Sequence, residues 1–250
     1  MPVRVLLLAA VSVLPITASV CNPADFYGVY GFQLTGTTTI GTAPQPVVSI
    51  GRMDFGDEGK VSGVVSIDFT GLYLGNPVMG TYEAHTDCSV SWSLQDTSGN
   101  AQHFRGTMSP EGRRVEFEQS DQGAAHRGVM LKAADMCQSA DFQAQYRFSI
   151  TGKRINVDTA QVSGSLSLSG TIEQQGGQLT LTRSSDSSQM ATGTAQVDGD
   201  CFVHLDLTLP AENGERFEMK FRGMLVDGGR QMLGMATDPG TAVSLRLNAP

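Results

Sequence analysis

Beyond residue 20 the chain reads as short runs in which apolar and polar side chains alternate, punctuated by glycine. Tyr30, Phe32 and Leu34 alternate with small or polar neighbours, and Gly36 closes the run. Thr37 to Gln45 reads as a polar loop, followed by a strand that begins at Val48 and Ile50. That strand continues past a bulge at Gly51 to Met53 and Phe55, and Gly56, Asp57 and Gly59 mark a hairpin turn. Val61, Gly63, Val65, Ile67 and Phe69 then share one face. The longest alternation straddles Cys88. Tyr82, Ala84, Thr86, Cys88, Val90, Trp92 and Leu94 fall on one side, with Glu83, His85, Asp87, Ser89, Ser91 and Ser93 on the other. Such a period of two predicts a single long strand with one buried and one wet face.

The second half repeats this design. Val162, Leu166 and Leu168, Leu179 and Leu181, and Cys201, Val203, Leu205, Leu207 and Leu209 form further alternating runs spaced by glycine. No amphipathic helix of useful length is predicted, and Val129 to Met136 reads as a linker with a helical turn. The wording itself recurs. Cys21, Ala24, Asp25, Phe26, Tyr30, Phe32, Thr35 and Gly36 return as Cys137, Ala140, Asp141, Phe142, Tyr146, Phe148, Thr151 and Gly152, without a gap. Gly80, Thr81, Asp87 and Cys88 return as Gly193, Thr194, Asp200 and Cys201, and Phe104 to Gly106 as Phe221 to Gly223. One module has been used twice.

Short antiparallel strands with one apolar face must hide it in a sandwich or by closing into a barrel. The expected fold is therefore all-β: two tandem antiparallel barrels of about eight strands, with two β-sandwiches as the alternative. The expected units are a first repeat at 21–131 and a second at 136–250. A leader occupies 1–20: one basic residue, an apolar stretch from Val5 to Leu14, then small residues before Cys21. Cys21 is not read as a lipid anchor, because its counterpart Cys137 lies deep inside the chain.

All four cysteines follow the leader, two in each copy, and an exported chain with an even count implies disulfides. Four cysteines allow three pairings. The duplication favours Cys21 with Cys88 and Cys137 with Cys201, each worth roughly 4 kcal/mol by chain entropy. The formal net charge of −8 makes nucleic acid and anionic membranes poor partners, and the location expected is secreted or periplasmic.

Chemistry is sparse. No dinucleotide fingerprint, phosphate loop, zinc-protease helix or nucleophile elbow occurs, so no catalytic, cofactor or metal residue is assigned and no cofactor is expected. His85, His103, His126 and His204 read as ordinary surface histidines. Asp87 and Asp200, and Asp25 and Asp141, recur in both copies and read as turn caps. Asp54, Asp57 and Glu58 read as a solvated turn. Tyr82 and Trp92 share the apolar face of the longest alternation, and are the candidates to line a ligand pocket if they do not fill a core.

The opening strand Gly28 to Phe32, with Gly80, Thr81 and Tyr82 and then Asp87 and Cys88, resembles bacterial exported proteins with a barrel similar to allene oxide cyclase, within the lipocalin-like group. The resemblance implies small up-and-down barrels whose lumen could take an apolar molecule. It implies no cyclase activity, since that enzyme's working residues map to no position here, and Ala195 stands where Tyr82 does. Three functional readings follow. The first is a non-enzymatic protein that binds a small apolar molecule or contacts an envelope surface. The second is an isomerase or cyclase using a barrel pocket. The third is an outer-membrane barrel, opposed by the cysteines on apolar faces and the non-aromatic ending Asn248 to Pro250.

Overall fold

The computed structural model describes residues 20–40, 43–69, 71–159, 161–184, 190–210 and 216–250. The proposed leader, but for residue 20, lies outside the described residues. The protein is two closed antiparallel barrels of eight strands each, in up-and-down order. The first comprises β1 (Gly28–Ile40), β2 (Ala43–Phe55), β3 (Lys60–Phe69), β4 (Leu72–Ala84), β5 (Ser89–Asp96), β6 (Ala101–Met108), β7 (Arg114–Gln119) and β8 (Ala125–Lys132). The second comprises β9 (Gln145–Asn156), β10 (Gln161–Gln175), β11 (Gln178–Arg183), β12 (Met190–Val197), β13 (Phe202–Pro210), β14 (Arg216–Val226), β15 (Gln231–Ala236) and β16 (Thr241–Asn248). β8 closes on β1 and β16 on β9, so every strand has two neighbours and no edge is left to pair with another chain.

Several details differ from the expectations above. β1 and β2 run through most of the segment read as a polar loop, and Val129–Lys132 is the end of the closing strand β8, not a linker. β2 carries no bulge at Gly51, which pairs Phe32 in unbroken register. The run through Cys88 is not one strand but two. β4 ends at Ala84, a turn follows, and Cys88 stands in that turn with φ 71°. The alternation survives because the pairs Tyr82–Trp92 and Ala84–Val90 join residues of equal parity, so odd and even positions keep their faces across the hairpin. Cys201, with φ 68°, does the same between β12 and β13. This left-handed backbone is disfavoured for a residue with a Cβ by roughly 1–2 kcal/mol. The disulfides hold it.

Those disulfides are Cys21–Cys88 and Cys137–Cys201, one within each barrel. They explain the repeated wording. In each copy the segment ahead of the first strand forms a short 3-10 turn, Pro23–Phe26 or Ser139–Asp141, laid across one end of the barrel. Phe26 and Phe142 plug that end and are buried. The Tyr30 hydroxyl donates to the Gly112 carbonyl, and the Tyr146 hydroxyl to the Gly229 carbonyl at 2.6 Å. Both glycines have positive φ, and a Cβ there would come within 2.2 Å of the Asp25 carbonyl or 2.0 Å of the Asp141 carbonyl. Glycine is the residue that meets both demands.

The barrels dock side by side. Val48, Ile50, Val129 and Leu131 on the outside of the first join the apolar core of the second. At Gly31 a Cβ would sit 2.5 Å from the side chains of Met224 and Val226, so the sheets meet closely there. Gln33 is buried in this interface. Its Nε2 donates to the carbonyls of Gly234 (2.7 Å) and Leu245 (3.1 Å), and its Oε1 accepts from Arg246 Nε at 2.6 Å. Near the plugs Asp227 N donates to the Lys132 carbonyl, and at the opposite end Gly240 N donates to the Gly71 carbonyl. The two plugged ends therefore lie on one side of the molecule.

Asp68, beside Gly71 and fully buried, is one exception to good polar pairing. Its Oδ1 accepts from Gly71 N at 3.2 Å while Oδ2 has no partner among the described residues. Burial pushes this carboxyl up to about 7 against the Gly71 hydrogen bond. Unfolded, it ionises near pH 4, so its contribution falls as pH rises from about 4 to about 7 and is constant above that. Asp68→Asn should remove this slope and raise stability at pH 8 by about 1–3 kcal/mol. Urea unfolding of both proteins at pH 5 and pH 8 measures it, and a less stable variant at pH 8 would refute the assignment.

Candidate functional site at the open end of the first barrel

With one end plugged, the first barrel meets solvent at the other. Its lower lumen is filled by rings. Phe26 packs on Phe55 at 4.4 Å between centroids, Phe55 on Tyr82 at 5.1 Å, and Trp92 lies between Phe104 (stacked, 5.3 Å) and Phe117 (5.0 Å). Tyr82 and Trp92 thus face the lumen together, as their shared parity requires. Both are buried among aromatic neighbours, and the Tyr82 hydroxyl donates to the Gly56 carbonyl at the plugged end.

Above this aromatic floor is a depression of about 370 Å³. Val47 and Ile67 give it apolar walls, and Thr38, Gln102, Gln119, Asp121 and His126 give it polar ones. The register sets the placement: β1 puts Gly36 between His126 of β8 and Val47 of β2. A Cβ at Gly36 would lie 2.7 Å from His126 Cδ2, so the missing side chain is what lets the imidazole lie there. Gln45, the next lumen-facing position beyond Val47, is buried, and its Oε1 has no partner among the described residues.

His126 is not a surface residue: only 9% of it is exposed, because β8 turns it inward. The other histidines are exposed. His85 lies in the Cys88 turn instead of on a strand, His204 lies 3.1 Å from Asp198, and His103 pairs with Asp121 at 2.7 Å. That last pair begins a chain of hydrogen bonds. Asp121 Oδ2 accepts from the His103 backbone N–H (2.9 Å) and from Gln119 Nε2 (2.8 Å). Gln119 Oε1 lies 2.6 Å from His126 Nδ1, and His126 Nε2 is buried without a partner among the described residues. Burial pushes the Asp121 carboxyl up, but these donors outweigh it and hold it below the usual range. Burial lowers His126, and the nearby Thr37 carbonyl offsets this only in part.

The second barrel shows which of these groups the fold itself requires. Asp238 accepts the Lys220 backbone N–H at 2.6 Å, as Asp121 accepts that of His103. Phe221 pairs Ala236 where Phe104 pairs Gln119, and Gly152 pairs Val243 where Gly36 pairs His126. The carboxylate at the rim is common to both copies, whereas Gln119 and His126 belong to the first alone. The other paired carboxylates serve turns: Asp87 Oδ1 accepts from the Ser89 amide (3.0 Å) and hydroxyl (2.6 Å), and Asp141 from the Gln138 amide at 2.7 Å. Glu58 pairs with exposed Lys60 at 2.6 Å. Among the described residues, no group of three or more His, Cys, Asp and Glu side chains could hold a metal ion.

No family model matches the chain, and no curated protein does. Solved structures similar to it include transferrin binding protein B from serogroup B Neisseria meningitidis, with 8% identity over 90% of this chain and 75% of that one and a TM-score of 0.34. A double mutant of transferrin binding protein B from Haemophilus parasuis aligns at 7% identity over 88% and 75%, TM-score 0.32. A putative AttH from Nitrosomonas europaea aligns at 10% identity over 96% and 99%, TM-score 0.29. Similarity this low says nothing about what the chain does. None of these three is an allene oxide cyclase, and the tandem barrels rest on the strand pairing alone.

His126 should titrate below the ordinary histidine value of about 6.5. An unfolded histidine protonates first as pH falls, so the protein loses stability from about pH 6.5 down to the folded value. Histidine ring NMR against pH measures this. A His126 midpoint at or above 6.5 would show that the ring is not held as described.

Proposed function

We propose that this is an exported, non-catalytic binding protein that takes a small, largely apolar molecule into the open end of its first barrel. The observation that carries this reading is the mouth itself. Apolar walls there stand beside a buried polar atom, His126 Nε2, that has no partner among the described residues, and the second barrel builds the same rim without Gln119 and His126. A buried polar atom without a partner costs roughly 1–3 kcal/mol, so a ligand that meets it gains affinity. Intact disulfides support an oxidising compartment, secreted or periplasmic. The resemblance to lipocalin-like barrels points to the same class of ligand.

The inward-facing apolar strands oppose the outer-membrane reading, in which those faces would meet lipid. A cyclase would need reacting groups around its substrate, and the polar chain at this mouth ends in one neutral ring. Contact with an envelope surface is the second reading. Val64, Leu72, Leu74 and Met79 are exposed on β3 and β4, Met79 by 69%.

A thermal-shift screen of the mature chain against lipids, pigments and other apolar compounds tests the proposal. Trp92, the chain's one tryptophan, gives a second readout, because Phe104 pairs both Trp92 and Gln119. A stabilising compound should change Trp92 emission, and Ile67→Arg, which puts a charge in the mouth wall, should abolish both effects. If no compound stabilises the protein, or if Ile67→Arg leaves binding intact, the mouth is not the site.

A further inference from the structure

We infer that the ligand of the first barrel carries a hydrogen-bond donor, a hydroxyl or an N–H group, which it gives to His126 Nε2. This rests on the binding reading above and adds the chemistry of the ligand's head.

The direction of the hydrogen bonds decides it. Asp121 is held ionised, and an ionised carboxylate only accepts. The Gln119 amide must therefore turn its NH₂ toward Asp121, at 2.8 Å, which leaves its Oε1 facing His126 Nδ1 at 2.6 Å. An amide oxygen also only accepts, so the hydrogen of that bond sits on Nδ1. A neutral imidazole protonated at Nδ1 presents a lone pair at Nε2. The opposite tautomer would set two lone pairs against each other at 2.6 Å. It would be relieved only by turning Gln119 round, and its oxygen would then face the Asp121 carboxylate. His126 Nε2 is thus a buried acceptor with no donor among the described residues, and the Thr37 carbonyl, which also lies close to the ring, is another acceptor. Gln45 adds a third, its Oε1 unpartnered on the luminal side of β2.

A carboxylate head would meet these lone pairs with its own. Protonating His126 to receive it would work against the burial of the ring. An ester or ether head supplies no hydrogen. An alcohol or a primary amine supplies one, and an ammonium also faces the Asp121 charge. The second barrel cannot make this choice, because Ala236 and Val243 occupy the corresponding positions.

Four probes with one ten-carbon chain separate the heads: 1-decanol, decylamine, decanoate and methyl decanoate. Each is titrated below its aggregation threshold at pH 7.5 into the mature full chain, with Trp92 emission and thermal shift as readouts. Decanol and decylamine should bind roughly tenfold more tightly than methyl decanoate and decanoate. His126→Phe, which keeps a ring but no lone pair, should reduce that preference to less than about twofold. On the unaltered chain, long-range ¹⁵N–¹H spectra should show His126 with its proton on Nδ1, and the Nε2 signal should move when decanol binds. Equal binding of all four heads would overturn the inference and leave the binding reading standing. So would a proton on Nε2, or a preference for decanoate. If none of the four binds, both fall. Should His126→Phe fail to fold, the head series and the tautomer spectrum on the unaltered chain still decide the question.

Discussion

A closed barrel hides its apolar faces all round but has two ends, and water must be kept from the core at each. Here one end is sealed by the chain's own approach to its first strand. The aromatic plug, the tyrosine hydroxyl on a left-handed glycine and the disulfide to the β4–β5 or β12–β13 turn act together in each copy. A short 3-10 turn has too few internal hydrogen bonds to stand alone, so the covalent link holds Phe26 and Phe142 in place. The rest follows from this seal. With the plugged ends on the same side, both open ends face the same way, and any exchange with solvent occurs there.

Side-by-side docking imposes a second condition: some strands must be apolar on both faces. That condition is written in the chain as breaks in the alternation. Val129, Met130 and Leu131 are consecutive buried residues in β8, and Met224, Leu225 and Val226 are so in β14. Met130 and Leu225 face their own lumens, while their neighbours face the other barrel. A continuous apolar run amid alternating ones marks a strand covered on both sides. Read in isolation, it passes as a linker. The signal lay in plain sight, but periodicity within one strand does not say which other surface will cover it.

Much else was legible for a definite reason. The duplicated wording marks the plug, because plug, tyrosine and half-cystine must be kept in step to seal each barrel. The hairpin at Cys88 was illegible because its even register preserves parity, so period-two analysis cannot see the turn. His126 departs from the surface reading because its neighbours, two alanines, an arginine and a glycine, give no apolar rhythm from which to infer an inward face. Its direction comes from β1, where Gly36 leaves room for the ring, and that pairing is set by barrel closure across some ninety residues of chain.

The duplication makes the second barrel a control built into the same molecule. Where the two copies agree, the shared residue serves the fold, as Asp121 and Asp238 do in each accepting a backbone N–H of an earlier strand, β6 or β14. Where they differ at equivalent positions, the fold has been shown to do without. Ala236 and Val243 pack cleanly and leave nothing unsatisfied, whereas Gln119 and His126 bring a polar chain that ends on an unpaired nitrogen. An apolar pair would serve the barrel at least as well, since burying an unpaired acceptor opposes folding. The polar pair is therefore best understood by what it offers to something arriving from outside.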